Sequence, residues 1–125
     1  IHILIGELDN WTPAKPCEGF VRKLKNNSAN INLTIYEGSH HSFDKDAPVI
    51  RNENAYNFSD CLFQLTEDGD VLMNYLNIPM SNSFLQKLGF MFCVSRGVSY
   101  GGNPIARESS FAFAKKFMRE TLLED

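Results

Sequence analysis

Within its first 44 residues the chain runs from an apolar strand-like stretch, through a helix-length amphipathic stretch, to a second strand-like stretch. That order limits the fold more than any other feature. Ile1-His2-Ile3-Leu4-Ile5 is short, rich in β-branched residues and ends at Gly6, the pattern of a strand buried in a parallel sheet. Thr12 reads as a helix cap and Pro13 as the first helical residue. Cys17, Phe20, Val21 and Leu24 then recur at helical spacing and define one apolar face, with Glu18, Arg22, Lys23 and Lys25 turned mostly to water. Asn26-Asn27-Ser28 ends the helix. Ile31-Asn32-Leu33-Thr34-Ile35-Tyr36 is the second strand, closing at Gly38. A strand, a crossover helix and a strand of these lengths fold as a right-handed βαβ unit with parallel strands.

Functional groups in such sheets collect beyond the carboxyl ends of the strands. Asp9 lies just past the first strand and His41 just past the second, so both are expected on one rim of one sheet. A histidine acting as general base needs an orienting carboxylate within hydrogen-bond reach. Asp9 and His41 are therefore the candidate catalytic residues, two thirds of a hydrolase triad in the order Asp then His. The third member, the nucleophile, is expected before them, and none stands upstream. The chain opens at Ile1, inside the first strand and without an initiator methionine. The expectation is the C-terminal piece of a larger enzyme.

The remainder divides into an irregular segment, 45–103, and a terminal helix, 104–125, which with the 1–44 unit makes a single partial domain. In the irregular segment, Cys61 to Leu65 and Val71 to Tyr75 flank Asp68-Gly69, which predicts a hairpin. Phe84, Leu85, Leu88, Met91 and Phe92 follow helical spacing, with Ser81 to Ser83 as the cap. The last helix is predicted from Pro104 to Leu123, capped by Asn103, with Phe111, Ala114, Met118 and Leu122 as its buried face.

Composition narrows the function classes. An apolar fraction of 43% with 22% charged residues is that of a globular domain. A net charge of −3 argues against a nucleic-acid binder, because phosphate binding needs clustered Lys and Arg. No apolar run approaches the roughly 20 residues of a membrane span. Asp44, Asp46, Glu53 and Asp60 lack the glycine and spacing of a calcium loop, and no metal or other cofactor is expected.

The segment Ile3-Leu4-Ile5-Gly6-Glu7-Leu8-Asp9-Asn10-Trp11-Thr12-Pro13, the following Cys17, and Ile35-Tyr36-Glu37-Gly38-Ser39-His40-His41-Ser42-Phe43-Asp44 resemble the C-terminal third of the dienelactone hydrolase family. Arg96-Gly97 and Gly101-Gly102-Asn103-Pro104 resemble the end of some members more loosely. The resemblance implies the C-terminal part of an α/β-hydrolase. It also implies an ester or lactone as substrate, and a Cys or Ser nucleophile followed by Asp and then His. The acid motif maps onto Asp9. The family histidine is followed by a small residue and an aromatic, which matches His41-Ser42-Phe43, so His41 is chosen over His40. His2, inside the first strand, is assigned to packing.

Gly97-Val98-Ser99-Tyr100-Gly101 matches Gly-x-Ser-x-Gly literally, but a nucleophile elbow needs a strand before the serine and a helix starting at it. A glycine-rich loop is the expectation here, with Ser99 kept as the nucleophile of a self-contained hydrolase. A non-enzymatic αβ binding module is the other alternative. Cys17 lies on the apolar helix face, where cysteine behaves as a small hydrophobe. Cys61 and Cys93 leave two readings open: a disulfide, implying a periplasmic or secreted protein, or two buried thiols in a cytoplasmic one. Trp11 either lines a substrate pocket or packs over the helix start. Missing neighbours along the first strand would expose an apolar edge, which predicts a homo-oligomer formed through it.

Overall fold

The computed structural model describes residues 1–73 and 76–122. In chain order its elements are β1 (His2–Gly6), α1 (Ala14–Asn26), β2 (Asn32–Tyr36), β3 (Ile50–Asn57), β4 (Phe63–Leu65), β5 (Val71–Met73), β6 (Ile78–Pro79), α2 (Ser83–Phe90), β7 (Ser95–Tyr100) and α3 (Pro104–Leu122). Helix and strand mix as an α/β fold requires. The chain forms two compact units, Ile1–Arg51 with Ser99–Asp125, and Asn52–Val98. Residues 45–51 and 99–103, grouped by sequence with the irregular segment, fall in the first unit.

In the first unit β1 and β2 pair in parallel, from His2 opposite Asn32 to Gly6 opposite Tyr36. Helix α1 joins them and buries Val21, with Cys17 and Leu24 half-buried. Phe20, expected on that face, is 53% exposed, because one residue of an α-helix turns it about 100° away from Val21. The helix start also differs from expectation. Pro13 occupies the cap position, and no side chain caps the helix; the Thr12 hydroxyl is directed to Asp9 instead.

Helix α3 corrects a second expectation. Its buried residues are Ala106 and Ser110, continued by half-buried Phe113, Ala114 and Phe117. Phe111, Met118 and Leu122 are exposed. The helix carries two apolar stripes, and spacing alone does not choose between them. His2 marks the stripe that packs: its ring lies 4.3 Å from that of Phe113 and 6.4 Å from that of Phe117, while its Nε2 bonds Thr34 Oγ1 at 2.8 Å. Leu123 lies outside the described residues.

In the second unit β4, β5 and β6 form an antiparallel sheet. The turn between β4 and β5 holds Gly69 at a φ of 88°, a left-handed conformation that suits glycine. Asn74 and Tyr75, expected in the second strand of this hairpin, lie outside the described residues. Helix α2 is capped by Asn82, whose Oδ1 accepts from the N–H groups of Phe84 and Leu85 at 3.1 and 3.0 Å. Cys61, Met73, Ile78 and Cys93 are the core of this unit, and the two cysteines are joined as a disulfide with Cα atoms 4.9 Å apart. The stretch expected as a glycine-rich loop is instead strand β7, which pairs with β3.

Candidate active site

The ends of β1 and β2 are laced together by the loops that follow them. Glu7 N–H donates to the Tyr36 carbonyl at 3.0 Å and Leu8 N–H to the Ser39 carbonyl at 2.8 Å. This close approach needs glycine at position 6, where a Cβ would overlap the Ser39 carbonyl. The chain then turns sharply at Asp9. One carboxylate oxygen, Oδ1, accepts the backbone N–H groups of Trp11 and Thr12 at 2.9 and 2.7 Å. The other, Oδ2, accepts the Thr12 hydroxyl at 2.8 Å. An aspartate that bonds the backbone two and three residues on is a self-contained turn, so the loop itself fixes the carboxylate.

His41 arrives from the β2 side and is pinned by its backbone. It bridges Tyr100 in parallel, and its carbonyl accepts the Gly101 N–H at 2.9 Å. Asn103 holds the loop on both flanks: its amide Nδ2 donates to Ser39 Oγ at 3.0 Å and its N–H to the Phe43 carbonyl at 2.9 Å. Its Oδ1 also accepts the Ala106 N–H at 3.2 Å, capping α3. The result is that His41 Nδ1 lies 3.0 Å from Asp9 Oδ2 and 3.1 Å from Thr12 Oγ1. The Trp11 ring rests against the imidazole, centroids 5.0 Å apart.

The two side chains differ in exposure: that of Asp9 is 5% accessible and that of His41 32%. A buried carboxylate paired with a partly open imidazole leaves the second ring nitrogen for other groups. Burial pushes the Asp9 carboxyl up, but hydrogen bonds from the Thr12 backbone and hydroxyl, from His41 and from the Trp11 backbone outweigh it. The net value lies below the ordinary 3.8.

A stability consequence follows. Below 3.8 the unfolded chain binds the Asp9 proton more tightly than the folded chain does, so stability rises with pH there. The contribution is complete above the unfolded value and vanishes as pH falls through the folded one. Urea midpoints measured from about pH 5 down to about pH 2 should fall less steeply in Asp9→Asn than in the wild type. Parallel acid profiles would contradict this.

The structure thus brings the two sequence-predicted site residues, Asp9 and His41, into contact. Ser99 is not at a strand-to-helix turn; it sits within β7, its N–H bonded to Asn10 Oδ1 at 2.9 Å. Cys17 is a half-buried free cysteine on α1. The Nδ1 of His40 is shielded and lacks a hydrogen-bond partner. The Trp11 ring lies against His41 at a tilt of 55°. Sequence reasoning missed Thr12 and Asn103, which were assigned to helix caps alone. Asp-x-x-Thr ahead of a proline was the available signal for Thr12. Among the described residues no group of three or more His, Cys, Asp or Glu is arranged to hold a metal ion, and no helix is long and apolar enough to cross a membrane.

A family model described as the dienelactone hydrolase family matches residues 1–62. The matched half contains both Asp9 and His41. No curated protein and no solved structure gives a significant match.

Proposed function

We propose, from the dienelactone hydrolase relationship of residues 1–62, that this chain is the acid–base portion of a carboxylic ester or lactone hydrolase. In this reading the chain is the C-terminal part of an α/β-hydrolase, with the irregular segment 45–103 as an insertion. The observation that carries it is the 3.0 Å contact between His41 Nδ1 and buried Asp9 Oδ2. An ionised carboxylate only accepts hydrogen bonds, so Asp9 holds the proton of neutral His41 on Nδ1 and leaves Nε2 as the base. His41 Nε2 takes the proton of a Cys or Ser outside residues 1–125, as that group attacks the substrate carbonyl. It then gives the proton to the departing alkoxide, and the acyl-enzyme forms. Water repeats the sequence and releases the acid. Asp9 keeps the ring oriented and stabilises its protonated form.

A groove of about 490 Å³ supports the external nucleophile. It runs from Leu4, Ile5 and Gly6 of β1 past Asp9 and His41 to Ser110, Phe111 and Ala114 of α3. Among the described residues β2 is the strand that pairs with β1, so the groove follows an open strand edge. A neighbouring strand seated there would end beside His41. The alternative nucleophile, Ser99, is disfavoured by its place within β7.

The test is turnover of a p-nitrophenyl ester by the chain itself. It should hydrolyse the ester no faster than an equal concentration of free imidazole. Rapid turnover that is lost in Ser99→Ala would replace this reading with a self-contained hydrolase. The open edge of β1 gives a second expected result, association of the chain into dimers or larger species. Light scattering reporting a sharp monomer would contradict it. The Cys61–Cys93 disulfide supports an oxidising compartment for the protein.

A further inference from the structure

We infer that Thr12 is a positioning residue that shares the His41–Asp9 hydrogen bond and fixes which ring nitrogen carries the proton. The inference rests on the hydrolase reading for its purpose but not for its geometry. Three atoms form a closed triangle: Asp9 Oδ2, Thr12 Oγ1 and His41 Nδ1, with sides of 2.8, 3.1 and 3.0 Å. Only certain proton placements satisfy it.

Asp9, held below the ordinary carboxylate range, is ionised at neutral pH and can only accept. The single Thr12 hydroxyl proton therefore points to Oδ2, and the lone pairs of Oγ1 face His41. Nδ1 then meets two acceptors and no donor. An unprotonated Nδ1 would face Oδ2 at 3.0 Å with no proton between them, and turning the Thr12 hydroxyl to Nδ1 would take from Oδ2 the bond it now receives. The neutral ring is held as the Nδ1–H tautomer by both neighbours, with the N–H shared between them. A valine of the same shape would remove one acceptor and free Oδ2 of the bond that locks its rotation.

Thr12 is well placed to be rigid in this task. Its own N–H donates to Asp9 Oδ1 at 2.7 Å, and Pro13 follows with its φ fixed by the ring. Backbone and hydroxyl of one residue thus grip both carboxylate oxygens. The indole of Trp11 also lies against the imidazole, tilted 55° with centroids 5.0 Å apart, so the segment 9–12 meets the base through its carboxylate, its hydroxyl and its indole. A serine at position 12 keeps the hydroxyl and would keep the function.

The experiment is nitrogen-15 NMR of the His41 side chain in the chain itself, at a pH where the ring is neutral, with Thr12→Ser and Thr12→Val as variants. The wild type and Thr12→Ser should show the Nδ1–H tautomer. In Thr12→Val the ratio of Nδ1–H to Nε2–H should fall about fivefold, the size of one ordinary net hydrogen bond. An unchanged ratio in Thr12→Val overturns the proposal. So does an Nε2–H ring in the wild type, which decides the matter even if Thr12→Val does not fold. The readout needs no turnover. A tautomer shift in a protein never acylated by esters would sink the hydrolase reading and leave the Thr12 assignment standing.

Discussion

On the proposed hydrolase reading, Asp9→Asn should lower kcat for ester hydrolysis by about 10³- to 10⁴-fold when the chain is joined to its nucleophile, with KM little changed. The reason lies in how the loop holds the side chain. Two backbone N–H groups, from Trp11 and Thr12, point at one carboxylate oxygen. In the asparagine variant only the amide oxygen can accept them, so the amide nitrogen is forced into the place of Oδ2. There it presents an N–H to His41 Nδ1, which must become the acceptor. The ring proton moves to Nε2, and the base that should receive the nucleophile's proton is already occupied. The fold should survive, because shape and both backbone bonds are kept. Steady-state kinetics beside a circular dichroism melt would check this. A loss below about tenfold would mean that the carboxylate does not set the tautomer.

Loss of the disulfide should have the largest effect on stability. Cys61 and Cys93 are separated by 32 residues, a loop whose closure stabilises a fold by about 3–4 kcal/mol on chain-entropy grounds. The unit Asn52–Val98 needs that help. A unit this small buries a limited fraction of its surface, and its core centres on Met73 and Ile78 beside the two cysteines. Large side chains such as Phe84 and Phe92 stay mostly exposed and contribute little burial. Cys93→Ser, or reduction of the wild type, should lower the unfolding free energy of this unit by that amount, read as a fall in its denaturant midpoint. It should leave the Asp9–His41 pair of the other unit unaltered. An unchanged midpoint on reduction would contradict the assignment of the disulfide as a structural bond.

The parts of this molecule that could be read from sequence are those fixed locally. β1, α1 and β2 were legible because each has a strong period of its own and a clear stop. Asp9 and His41 were legible because both follow a strand end, where sheet topology decides their neighbourhood. β3 and β7 were not. Ile50–Asn57 is largely polar and solvent-facing, and Ser95–Tyr100 contains Gly97 at a φ of 94°. Neither looks like a strand until the other lies beside it, since β structure depends on the partner more than on propensity. Helix α3 was placed but turned wrongly, because Phe111, Met118 and Leu122 compete with Phe113 and Phe117 for the buried side. Thr12 was hidden for a related reason. A threonine before a proline is a good helix cap, and only the fold shows its hydroxyl committed to Asp9.

Which residue becomes acylated decides between a hydrolase completed by an external nucleophile and a self-contained one. The nucleophile-bearing protein should be treated with an activated ester, stopped in acid and mapped by peptide mass spectrometry. The acyl group should lie on one Cys or Ser outside residues 1–125, and labelling should largely disappear in His41→Gln. An acyl group on Ser99 or Cys17, or labelling that persists without His41, would contradict it.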